Sequence, residues 1–138
     1  MKRSIRLLAP LLALTAVHAA GQEPDRSEGR AVFEMVCAMC HSTQPPAKAA
    51  PPMSHAAAFY LRAHPDRASA AAAIIAYVTK PDAAASLLPP HAIERFGLMP
   101  AQSHLSPQQL EAVAAYVLTL ADTAHAGARM RHGGPPHR

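Results

Sequence analysis

The 138 residues include no tryptophan, only three tyrosines and three phenylalanines, and just two cysteines. Aromatic side chains bury the most area per residue, so a chain this poor in them must fill its centre with small aliphatic groups or with something that is not protein. Two cysteines fall short of a four-ligand structural zinc site unless distant histidines join them. A disulfide between positions 37 and 40 would close almost no loop and stabilise little. No uninterrupted apolar run approaches the roughly 20 residues needed to cross a bilayer. Positive charge is also scarcer than it looks. Thirteen Lys and Arg stand against nine Asp and Glu, but Lys2, Arg3 and Arg6 lie at the N-terminus and Arg129, Arg131 and Arg138 at the C-terminus. The part between carries seven basic and nine acidic residues, which excludes a basic nucleic-acid face.

What is present is the run Cys37-Ala38-Met39-Cys40-His41. Two thiols three positions apart can add across the two vinyl groups of one haem, and the imidazole that follows then falls under the iron as an axial ligand. Cys-x-x-Cys also occurs in dithiol redox proteins, but that use needs a preceding strand in a βαβ frame, and no such frame is legible here. On this motif the sequence resembles the class I monohaem c-type cytochromes. The resemblance implies an all-α fold of about four to five helices around one haem c bound covalently through Cys37 and Cys40, with the N- and C-terminal helices packed crosswise.

The ends of the chain read separately. Lys2, Arg3 and Arg6 precede an apolar stretch over residues 7–17 and small residues at Ala19 and Ala20, the pattern of a secretory signal peptide cleaved near Ala19 or Ala20. The other reading, an uncleaved anchor, is opposed by Pro10 within so short a stretch. Export suits the motif, because an oxidising compartment would otherwise pair free thiols. The expected organisation is a signal peptide over 1–20, a haem domain over 21–124 and a disordered, basic, histidine-containing tail over 125–138.

Within the middle part, Asp25 and Glu28 form a capping-box pattern ahead of a helix that runs toward Cys37. Four prolines between Ser42 and Pro52 forbid helix there. Ser54 is placed to cap a helix through Ala63, and Asp66 a longer one through about Thr79, with Ile74, Ile75 and Val78 on its buried side. Lys80-Pro81 ends it, and residues 82–105 read as a long loop with at most one helical turn near 92–96. Ser106, Pro107 and Gln109 mark the last helix, whose stripe is Leu110, Val113, Ala114, Val117, Leu118 and Ala121.

The resemblance assigns roles to several of these positions. Gly29, Phe33 and Tyr116 match the family's contact between first and last helices. Ala50-Pro51-Pro52-Met53 resembles the stretch whose proline carbonyl holds the ligand histidine, which points to Pro51 as acceptor, with Pro52 as the alternative and Met53 as a wall residue. Gly97-Leu98-Met99-Pro100 resembles the loop that supplies the second axial ligand, making His41 and Met99 the iron ligands. His55, His91 and His104 are the rival ligands, and Met35, Met39 and Met130 the rival methionines. Lys48, Tyr60, Arg62, Tyr77 and Arg95 are candidate donors to the haem propionates.

No general base or nucleophile stands out, and iron ligated on both faces leaves no position for substrate. The expectation is therefore a non-enzymatic periplasmic one-electron carrier serving respiratory or dehydrogenase complexes. It would be monomeric, with transient protein redox partners, no nucleic acid and no membrane span in the mature form. The alternative is a haem-based gas or redox sensor, or a small haem enzyme, with an open sixth position.

Overall fold

Asp25 caps helix α1, Arg26–Val32: its carboxylate accepts from the Ser27 backbone N–H at 2.8 Å. The capping box is not closed. Glu28 turns away, and its Oε2 accepts instead from Gln108 Nε2 at 3.0 Å on the last helix. The computed structural model describes residues 25–132, with side chains to Ala121.

After Val32 the helix continues for one wider, π-helical turn, Phe33–Cys37, closed by a 2.8 Å bond from Ala38 N–H to the Phe33 carbonyl. Such turns insert one extra residue and concentrate at functional sites. Here the insertion leaves Phe33 in the core while Cys37 faces a cavity. Four more helices follow among the described residues: α2, Met53–Ala63; α3, Arg67–Thr79; α4, Pro90–Phe96; and α5, Pro107–His132. No strand occurs among the described residues, as the all-α expectation requires.

Helix α5 is the element on which the others rest, and α1, α2 and α3 all pack against it. Its start is fixed by reciprocal bonds, Gln109 N–H to Ser106 Oγ at 3.2 Å and Ser106 N–H to Gln109 Oε1 at 3.0 Å. Every residue of the expected stripe is buried. Phe33 and Leu118, each 2 % exposed, contribute on the order of 1.5–3 kcal/mol apiece by leaving water. Gly29 sits where α1 meets α5: a Cβ there would run into the Ala112 carbonyl oxygen and come within 2.9 Å of Tyr116 Cβ. One turn later the Phe33 and Tyr116 rings meet at 5.6 Å, tilted by 56°.

The sequence reading needs correction at three places. Ser54 is not a cap. Pro52 occupies the cap position of α2, and Ser54 is buried with no hydrogen-bond partner for its hydroxyl among the described residues. Helix α4 makes about two turns rather than one, because Pro89 and Pro90 supply an extended cap and a preset first turn. Helix α5 continues to His132 rather than ending near Ala124. Residues 125–132 hold two alanines and one glycine, and the first Gly-Gly-Pro-Pro run begins only at Gly133. The signal peptide over 1–20 and the end of the tail, 133–138, lie outside the described residues.

Candidate functional site

The π-helical turn, α2, α3, the 82–105 segment and α5 enclose a cavity of about 240 Å³ with mainly apolar walls. Val36, Met53, Ile74, Val78, Phe96 and Val117 are among the apolar side chains that line it. Cys37, Cys40, His41, Pro51 and Met99, the five residues singled out from sequence, all line it. They come from three separate stretches, the 37–41 run, Pro51 and Met99, which the fold brings to one cavity.

His41 is held from two sides. Its backbone N–H donates to the Cys37 carbonyl at 2.9 Å, and its Nδ1 lies 2.7 Å from the Pro51 carbonyl oxygen. A carbonyl only accepts, so Nδ1 carries the proton and Nε2 keeps its lone pair free. Burial lowers the imidazole's affinity for a second proton, partly offset by the bond to Pro51. The ring is therefore a neutral, oriented donor for a metal.

The choice between Pro51 and Pro52 has a physical cause. Ala50 N–H bonds the Cys40 carbonyl at 3.0 Å, Met53 N–H the Ser42 carbonyl at 2.8 Å, and Ser54 N–H the Thr43 carbonyl at 3.0 Å. These clamp 50–54 along 40–43 and set the Pro51 carbonyl over the ring. The Pro52 carbonyl is occupied elsewhere, accepting from His55 at 3.1 Å and Ala56 at 3.2 Å in the first turn of α2.

The two cysteines differ. Cys40 is exposed, whereas Cys37 is half-buried and burial pushes its thiol up to about 11. Reactive dithiols lower a thiol pKa with nearby positive charge or a helix N-terminus. Cys37 shows the reverse, which disfavours dithiol redox chemistry. Among the described residues no three His, Cys, Asp or Glu side chains gather as a metal cluster.

Met99 also lines the cavity and is half-buried, in the segment that follows Gly97. Gly97 ends α4 with its N–H on the Ile93 carbonyl at 2.8 Å and a φ of 73°, which an L side chain would resist. Among the rival ligands, His55, His91 and His104 are exposed and do not line the cavity. Met35 and Met39 face solvent at 66 % and 79 % exposure, and Met53 is part of the wall. Met130 lies in the part of α5 whose side chains are not described.

Of the candidate propionate donors, only Tyr60 and Tyr77 reach the cavity. Burial, reinforced by the neighbouring Tyr77, pushes the Tyr60 phenol up to about 12, so it is a hydrogen-bond donor at neutral pH. Lys48 Nζ instead donates to the Ala38 carbonyl at 2.9 Å. Arg62 lies over the Phe59 ring at 4.5 Å and Arg95 over the Phe96 ring at 4.9 Å. Ser86 and Gln102 also line the cavity, and neither was legible in the sequence, where a lone Ser or Gln in a loop carries no signal.

A mainly apolar cavity lined by a neutral imidazole, a thioether and two thiols fits a flat, mostly apolar, covalently attached tetrapyrrole. A family model described as Cytochrome c matches residues 27–121. No curated protein and no solved structure matches the chain.

Proposed function

The chain belongs to the cytochrome c family, which implies a covalently bound haem c and haem-based electron transfer, and from that premise we propose a periplasmic one-electron carrier with a His41/Met99-ligated haem. Cys37 and Cys40 would hold the haem by thioether bonds, and His41 Nε2 and Met99 Sδ would supply its iron ligands. When bound, this group supplies one reversible electron at iron, and a thioether ligand favours the reduced state.

The observation that carries the reading is that His41, fixed by the Pro51 carbonyl, and Met99 line the same apolar cavity. The chain's own part is to orient the imidazole, present the thioether and keep water out. Tyr60 and Tyr77 offer phenolic donors to the propionates. With both His41 and Met99 engaged by the iron, the protein would need no substrate pocket and would act as a carrier rather than an enzyme.

Localisation and partners rest on sequence. The basic residues 2–6, the apolar stretch and Ala19-Ala20 support export, and no helix among the described residues is long and apolar enough to cross a membrane. Partners are donor and acceptor proteins met through small, short-lived interfaces, and the carrier is a monomer.

Unfolding the exported protein in guanidinium chloride and passing it through a desalting column tests the attachment. The haem absorbance travels with the chain and no free thiol is titrated. Haem that separates, leaving two reactive thiols, overturns the proposal.

A further inference from the structure

Met99 lies in a segment with no regular structure, yet the segment is tied at both ends. On one side Gly97 closes α4 through the Ile93 carbonyl. On the other, Gln102 N–H donates to the Val78 carbonyl at 2.8 Å. Val78 is in the last turn of α3, where helix carbonyls have no partner within the helix. The loop therefore completes α3 while α3 anchors the loop.

Gln102 does a second thing. Its side-chain Nε2 donates to the Pro100 carbonyl at 2.8 Å, closing a small ring on the C-terminal side of Met99. Among the described residues this is the sole hydrogen bond reaching residues 98–101. Pro100 has no N–H to offer, and Leu98 is 47 % exposed, so beyond the half-buried Met99 side chain little else fixes that stretch. Gln102 is itself half-buried and lines the cavity.

We propose that Gln102 is a positioning residue: by bracing the Pro100 carbonyl it holds the Met99 thioether against the cavity and sets how readily another ligand displaces it. This rests on Met99 as the second iron ligand. A neutral hydrogen bond is worth about 1 kcal/mol net, and 1.4 kcal/mol is tenfold in an equilibrium constant, so losing the brace should change the competition roughly fivefold.

The test titrates the ferric haem-loaded protein with imidazole and follows the weak red Met-to-iron absorption band. Gln102→Leu removes the donor, and Gln102→Glu replaces it with an acceptor of the same size. Both variants should lose the band at roughly fivefold lower imidazole than the parent. Ser103→Ala, at an exposed neighbour, should titrate like the parent. Parent-like imidazole affinity in both Gln102 variants overturns the positioning role alone. A parent protein with no red band overturns Met99 ligation, and the positioning role with it.

Discussion

Cys37 and Cys40 belong to one motif but not to one environment, and the difference decides what the pair can do. Cys37 is packed against the core with its thiol pushed up to about 11, while Cys40 is exposed. The same contrast between type and setting holds for the prolines: Pro51 and Pro52 are alike in sequence, and only the bonds that start α2 free one carbonyl for His41. Gly29 gives the sharpest mutational test at this scale. Gly29→Ala places a Cβ against the rigid backbone of Ala112, and overpacking of this kind costs about 1–3 kcal/mol. Guanidinium unfolding of the haem-loaded variant should show that loss, whereas Ala31→Gly, on the exposed face of α1, should show only the smaller propensity cost of about 1 kcal/mol. Gly29 was legible because it and Phe33 match the contact that the family resemblance implies, and because a glycine inside a helix costs about 1 kcal/mol and so wants a reason such as close helix contact. Ser54 was misread because a serine after prolines looks like a cap, and burial cannot be seen in a residue type.

The helices were more legible than the segments between them. The Ser106–Gln109 box and the Asp66 cap stand in the structure as the spacing implied. Periodicity and capping are local, so they survive translation into sequence pattern. The π-helical turn at Phe33–Cys37 was not legible, because it depends on the pull between the α5 contact of Phe33 and the cavity beyond. Helix α3 carries a pH prediction. Hydrogen bonds from Ser69 hold the Asp66 carboxyl below its ordinary value of 3.8. A lowered folded-state pKa adds stability that is complete above the unfolded value and is lost as pH falls through the folded one. Asp66→Asn keeps a capping side chain without the titration. Thermal melts should therefore show the parent ahead of the variant near neutral pH, with the gap closing as pH drops below 3.8. A gap unchanged down to strongly acid pH would contradict the cap's electrostatic part.

For the whole molecule, the scarcity of aromatic residues and the cavity in the middle of the helices are one fact seen twice. With no tryptophan and a core built on alanine, valine and leucine around α5, the chain leaves its centre open to a large apolar group. The motif, the Met-Pro loop and the last helix were all legible, so the fold and the five lining residues could be read from sequence. The loop's bracing through Gln102 could not, since it depends on where α3 ends in space. The central claim is that this cavity holds a haem ligated on both faces by His41 and Met99. The most direct measurement is the visible spectrum of the exported protein, ferric and then reduced under carbon monoxide. The account predicts a low-spin ferric spectrum with the weak red Met-to-iron band and a reduced spectrum that carbon monoxide does not change. A high-spin ferric spectrum, with a reduced form that binds carbon monoxide, would contradict it.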